Sequence, residues 1–268
     1  MLYELMSRGR ARRLFSKQGI HVALESVLAG TSLSPVYVDD VTDPHAAVTW
    51  EADRVYVAGE VSKEFVKDIN VVLNAQYFEA YLRGNRFVVC PDREEWIPAF
   101  REIFWGYESE PGTMKLYTAD TAEAAKEEAP PAGYSYVPVD KAYFMKPYGN
   151  ILRMVTDLRV YRESPELFLK NSFGVAAVYG DTIVGWCINK VDSGDHFEVG
   201  VETLDSHMRR GLATGMTRTL LREGLKRGFR YADWHCWATN VAAVAAARRA
   251  GFTFAAEYPA CEIRCTSS

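Results

Sequence analysis

The stretch that most constrains this chain runs from Phe197 to Lys226, FEVGVETLDSHMRRGLATGMTRTLLREGLK. It opens with Phe197, Val199 and Val201 alternating with Glu198, Gly200 and Glu202, the period of a β-strand. From Leu212 the spacing changes. Leu212, Met216, Leu220 and Gly224 share one face of a helix, and Arg218, Arg222 and Lys226 repeat every four residues on the other. Between them lies Arg209-Arg210-Gly211-Leu212-Ala213-Thr214. The first N–H groups of such a helix have no partner inside it and carry the positive end of its dipole. Gly211 lets a ligand approach the backbone with no Cβ in the way, and two arginines add charge. That combination suits a phosphate or pyrophosphate.

The flanking sequence continues the pattern. Upstream, the apolar runs Phe173–Tyr179 and Ile183–Val191 are joined by Gly180-Asp181, a tight-hairpin signal. Downstream, YADWHCW (Tyr231–Trp237) reads as a strand, and Asn240 opens a helix over Val241–Ala250, closed by Gly251-Phe252. Arg-Arg-Gly-Leu-Ala resembles the acyl-CoA pyrophosphate loop of the GNAT acetyltransferase superfamily, written Q/R-x-x-G-x-G/A, with Met208 at its first position and Ala213 at its last. Asn240 and Gly251-Phe252 resemble the superfamily's N-x-x-A…G-F segment. The run from Tyr134 to Phe252 is similar to a bacterial and archaeal subgroup that carries an extra N-terminal half. The resemblance covers the second half of the chain well and the first half loosely.

The resemblance implies an α/β (α+β) chain. A GNAT-type mixed central sheet flanked by helices would fill residues 131–268. A smaller α/β domain would fill residues 1–130 and leaves open a degenerate GNAT-like repeat. Length agrees, since 268 residues suit two domains of ordinary size. The expected boundary lies in Thr118–Gly133, poor in large apolar residues and ending near Pro130-Pro131.

In the first half, residues 1 to about 30 read as helical. Strands are expected at Val36–Val38, Ala46–Trp50, Arg54–Ala58 and Phe87–Cys90, with Met114–Tyr117 another candidate. Ser62 is an N-cap for a helix carrying Phe65, Ile69, Val72, Leu73, Ala80 and Tyr81 and stopping at Gly84-Asn85. Asp92 caps a second with Trp96, Phe100 and Phe104. This half shows no GxGxxG and no P-loop. After Tyr134–Val139, a first strand of the second domain, two helical stretches follow, the latter capped by Ser164 with Pro165 behind it.

Composition narrows the partners. A net charge of −4 does not suit a chain built to coat nucleic acid, and Arg8–Arg13 reads as the solvated face of a terminal helix. Five scattered cysteines (Cys90, Cys187, Cys236, Cys261, Cys265) suit free thiols in a reducing cytoplasm. No run approaches the ~18 apolar residues of a membrane helix, and no metal-ligand spacing is present. A soluble, cytoplasmic protein without a metal is expected. Its partner would be a small-molecule or peptide amine, not nucleic acid or membrane, and a homodimer is allowed.

Acetyl transfer from acetyl-CoA to an amine poses two problems. An amine of pKa about 10.4 must lose a proton, and the thioester oxygen needs a donor as charge develops on it. The resemblance assigns the donor to main-chain N–H groups of Val201, Glu202 and Thr203. It assigns the CoA phosphates to Arg209, Arg210, Gly211, Leu212, Ala213 and Thr214, and places Asn240 near the pantetheine arm. Glu198 and Glu202, two carboxylates on one face of an inner strand, are the candidate bases. One position departs from the family. Ala247 stands where a tyrosine often protonates the departing thiolate, which leaves Tyr258, His235 or no acid at all. Ala247 and Met208 favour a second reading, an acyl-CoA-binding or sensing module without turnover. The acceptor pocket is expected from the helices between Asp140 and Lys170, with the N-terminal half as a further candidate wall; Tyr143, Phe144, Tyr148 and Tyr161 there read as core packing ahead of an acceptor wall.

Overall fold

A computed structural model describes residues 1–18, 21–78, 86–126, 128–162 and 164–265. The chain divides into two compact units, Met1–Met114 with the C-terminal stretch from Glu257, and Lys115–Ala256. The division falls within two strands, so no turn or proline marks it. It differs from the boundary expected near residue 130, and the stretch from Glu257 belongs with the first unit.

The first unit contains β1 (Tyr3–Glu4), β2 (Val36–Val38), β3 (Ala46–Glu51), β4 (Arg54–Gly59) and β5 (Arg86–Pro91). Its helices are α1 (Val22–Leu28), α2 (Lys63–Val72) and α3 (Phe100–Ile103). With the end of β12 (Thr253–Cys265), the strand order is β1-β2-β3-β4-β5-β12. All these neighbours are antiparallel except β4 and β5, which run parallel. Its core gathers Trp50, Tyr77, Phe87, Trp96 and Phe104.

Two local expectations change. Residues 1–30 hold short 3-10 turns at Arg8–Arg13 and Ser16–Gln18 before α1, rather than one helix. The Asp92 segment is a 3-10 turn at Glu94–Ala99 leading into α3, and the Asp92 carboxylate accepts from Trp96 Nε1 (3.1 Å). Ser62 caps α2 as expected, its hydroxyl accepting from Phe65 N (3.1 Å). Ala80, Tyr81 and the stop at Gly84-Asn85 lie outside the described residues.

The second unit takes in the end of β6 (Tyr107–Asp120), then α4 (Thr121–Ala124), β7 (Tyr134–Pro138), α5 (Lys141–Phe144), α6 (Ile151–Tyr161) and α7 (Pro165–Asn171). The hairpin β8 (Gly174–Tyr179) and β9 (Thr182–Ser193) follows, turning at Gly180 with φ +58°. Next come β10 (His196–Thr203), α8 (Leu212–Lys226), β11 (Tyr231–Trp237) and α9 (Val241–Ala250). The strand order is β6-β11-β10-β9-β8-β7. β10 runs parallel to β11, and β7 to β10 pair antiparallel in sequence. The apolar face of α8 (Leu212, Met216, Leu220) is buried among Phe173, Val184 and Phe197. A second cluster joins Val139, Tyr143, Met154, Leu158 and Phe168 to the opposite face at Trp186 and Ile188.

Candidate functional site

The second unit's sheet opens between β10 and β11. β10 and β11 are in register at His196↔Tyr231, Phe197↔Ala232 and Glu198↔Asp233, and their pairing ends there. Both strands continue, β10 to Thr203 against β9 and β11 to Trp237. Leu204 N donates to Val184 O (2.9 Å). By the alternation of an antiparallel ladder, Gly200 and Glu202 therefore turn their main-chain groups toward β9. Val199, Val201 and Thr203 turn theirs into the gap on the β11 side. His235, just past the last pair, has a fully buried side chain while the residue as a whole is partly accessible, so its main chain faces that gap.

The helix that follows β10 begins beside this opening. Gly211 is the N-cap of α8 at φ +80°, no described side chain caps the helix, and nothing lies within 4 Å of where a Cβ would stand. Arg209 also has positive φ, at 59°, a conformation uncommon outside glycine. Arg209 and Arg210 are exposed. Leu212 and Thr214 turn their side chains inward, and Ala213 O accepts from Thr217 Oγ1 (2.7 Å). What this turn offers a ligand is three N–H groups and two guanidiniums. The loop is tied back to the sheet at His207, whose Nδ1 meets Tyr134 OH at 2.9 Å while its ring contacts Tyr134 and Tyr179. Free N–H groups, positive charge and an opened ladder fit an acyl-CoA, diphosphate at the helix and thioester arm along the gap.

The sequence model of the GNAT acetyltransferase family matches residues 12–261. The chain belongs to the GNAT acetyltransferase family. It is an acyltransferase of a family that uses acetyl-CoA as cosubstrate. It is 21% identical to an uncharacterized N-acetyltransferase, YdfB, of Bacillus subtilis over 87% of each chain. In fold it resembles a GCN5-related N-acetyltransferase-like protein of Streptococcus suis (TM-score 0.75, 17% identity, 96% of this chain and 98% of that one). It also resembles a tandem GNAT protein from the clavulanic acid biosynthesis pathway (TM-score 0.57, 13% identity, 100% of both chains).

The two candidate bases of this GNAT chain lie on one face of β10 but in different surroundings. Glu202 is half-exposed beyond the end of the ladder, 3.7 Å from Arg153 of α6. Its cross-strand partner Trp186 donates Nε1 to Asp157 Oδ2 (2.6 Å), one turn further along α6. Glu198 is buried at the closed end. Its Oε1 lies 3.3 Å from Lys190 Nζ and its Oε2 3.9 Å from His235 Nε2. Lys190 is the extra residue of a bulge in β9 and its stem crosses Gly200, where a Cβ would stand 2.6 Å from Lys190 Cγ.

The other named residues separate. Asn240 caps α9, accepting from Ala243 N (3.0 Å). Ala247 is fully buried in the core under α9. Tyr258 belongs to the first unit, against His21 and Met114. Tyr143 is core, donating to Met154 Sδ (2.9 Å), and burial raises its hydroxyl well above the usual range. Arg12 and Arg13 pair with Glu25 and Asp43, while Arg8 and Arg10 donate to main-chain carbonyls. Cys90, Cys187, Cys236 and Cys261 are buried free thiols, and the described residues hold no cluster of metal-ligating side chains.

A cavity of about 620 Å³ lies between β7, the start of α5 and the outer face of α8. Its rim sets Lys141, Arg222, Lys226 and Arg227 against Asp140 and Glu223, the wrong balance for a cationic amine. Sequence reasoning missed Arg153, Asp157, Lys190 and Asp233. Asp233 and Lys190 gave a signal, each a charged residue inside an apolar strand.

Proposed function

We propose that this acyltransferase moves an acetyl group from acetyl-CoA to a primary amine of a small molecule or peptide by direct attack. The observation that carries the reading is the end of the β10–β11 ladder at Glu198 and Asp233 beside a helix whose N-terminus begins at an uncapped, left-handed glycine. Leu212, Ala213 and Thr214 N–H with Arg209 and Arg210 would hold the diphosphate. Val201 N–H would face the thioester oxygen, where a fixed donor is worth roughly 10²–10³ in rate. The amine would enter on the face of Glu202, Arg153 and Asp157, away from the basic cavity. A thiol of pKa about 8.5 is a tolerable leaving group, so Ala247 does not prevent turnover.

The first unit is read as a GNAT-like repeat that has lost its site. β2-β3-β4-β5 repeats the directions of β8-β9-β10-β11. There, however, Asp92 N carries the pairing past β5 to Val57 O (3.0 Å). Gln18 Nε2 donates to both Val57 O (3.4 Å) and Cys90 O (2.5 Å), and Ser62 caps the following helix. The solved tandem GNAT relative supports this reading. Buried free thiols suit a reducing cytoplasm.

Calorimetric titration of acetyl-CoA into the native chain and a Gly211→Glu variant tests the assignment. Binding by the native chain, weakened at least about tenfold in the variant, is expected from a carboxylate set against the diphosphate. No binding at millimolar acetyl-CoA would refute it. Release of free CoA on adding amines separates an enzyme from a sensor, which binds and releases none.

A further inference from the structure

The last rung of the β10–β11 ladder is a pair of acids. Glu198 and Asp233 are register partners on parallel strands, so their side chains share a face, and they are 1% and 4% exposed. Two anions so placed repel each other, and burial strengthens the repulsion. The surroundings treat them differently. Glu198 has Lys190 of β9 at 3.3 Å, and that ammonium is backed by the Tyr161 ring of α6 at 4.5 Å. His235 of β11 also faces Glu198. Asp233, besides Glu198, has His196 of β10, Oδ2 to Nδ1 at 3.6 Å, and its Oδ1 is buried with no hydrogen-bond partner among the described residues. His196 is 40% exposed, its ring tilted against that of Tyr231 at 4.7 Å between centroids, and it lies 3.7 Å from Asp195.

We propose that the proton removed from the incoming amine is held on Asp233, that Glu198 is the fixed negative charge that makes Asp233 basic, and that His196 returns the proton to solvent. This rests on the acetyltransferase reading and reverses the roles that strand position alone assigns. Lys190 holds Glu198 ionised, and an ionised, ion-paired carboxylate is a weak base. Burial, and then the Glu198 charge, push Asp233 up to about 7, where a base is most effective at neutral pH. The step balances. One ammonium proton passes, by way of water along the gap that opens beyond the Glu198–Asp233 rung, to the Asp233 carboxylate, and the freed lone pair forms the C–N bond. The C–S bond breaks, the remaining excess N–H proton ends on the CoA sulfur, and Asp233 releases its proton through His196.

The test combines carboxyl-carbon NMR titration of the full chain, acetyl-CoA calorimetry on the same preparation, and CoA release against pH with spermidine, tyramine and a lysine peptide as probe amines. The Asp233 carboxyl should titrate near neutrality. In Glu198→Gln its midpoint should fall by about one unit or more with release retained at lower pH. Asp233→Asn should lose about 10²-fold or more of kcat/KM with acetyl-CoA binding intact. A Lys190→Met/Glu198→Gln double variant should repeat the shift without leaving a buried unpaired ammonium. An Asp233 carboxyl already ionised at pH 5, or a Glu198 carboxyl that titrates near 7 in its place, overturns the proposal and leaves the acetyltransferase reading standing. Absent acetyl-CoA binding, or no CoA release with any probe amine, overturns it as well, and the calorimetry shows whether the reading falls with it.

Discussion

Asp233 carries a carboxyl raised from the ordinary 3.8 to about 7, and that shift is also a statement about stability. The folded chain binds the proton more tightly than the unfolded chain. The contribution is therefore fully present below pH 3.8 and is lost as pH rises to about 7. Across that window this one group makes stability fall with pH by up to about 1.4 kcal/mol per unit. Asp233→Asn should remove the slope and gain on the native chain between pH 5 and pH 8. Urea midpoints at both pH values check it, and an unchanged difference would mean that Asp233 titrates normally. Gly211 was legible from sequence because its conformation belongs to a local turn. Asp233 was not, because its character comes from facing Glu198 across a register that no local pattern reports. Glu198 and Glu202 were readable as a shared face but not as one buried and one accessible carboxylate, since Lys190 and Arg153 come from other elements.

Helix α8 and strand β10 meet at a glycine. A Cβ on Gly224 would stand 2.6 Å from Phe197 Cε1, against a ring that is fully buried and also in contact with Phe173 and Phe229. Alanine is favoured over glycine inside a helix by about 1 kcal/mol, so propensity alone predicts a stabilised variant. Overpacking of a closed core costs about 1–3 kcal/mol and should win, because Phe197 has neighbours on both sides. Gly224→Ala is therefore expected to lower the melting temperature by several degrees, and a rise would show that the aromatic cluster yields. The helices and hairpins whose periodicity agrees with their packing were legible in the sequence: α8, α9, β8–β9 and α2 with its Ser62 cap. The segment Thr253–Cys265 was missed as a strand. Its Pro259, Gly251 upstream and scattered charges (Glu257, Glu262, Arg264) break the alternation, and its pairing with β5 comes from far along the chain.

At the scale of the molecule, the unit that carries the candidate site does not begin where composition thins out. Thr118–Gly133 looks like a linker, yet β6 runs through to Asp120 as the neighbour of β11, and α4 packs directly behind it. Tyr117, Ala119 and Ala124 are buried in the same core as Met216 and Phe252, and Thr121 is buried too. Thr121 N donates to Arg230 O (2.9 Å) and its hydroxyl to Phe229 O (2.8 Å), fixing the start of β11. A fragment beginning at residue 131 would expose one edge of β11 and remove a fully buried tyrosine, worth about 3–5 kcal/mol by analogy with other aromatic truncations. That is a large share of the 5–15 kcal/mol that holds a domain together. The fragment 131–268 should show no cooperative thermal transition by circular dichroism. The fragment 115–256 keeps the core intact and should melt cooperatively. The opposite ranking would place the boundary at Pro130-Pro131 after all and make β6 an accessory of the second unit rather than part of its core.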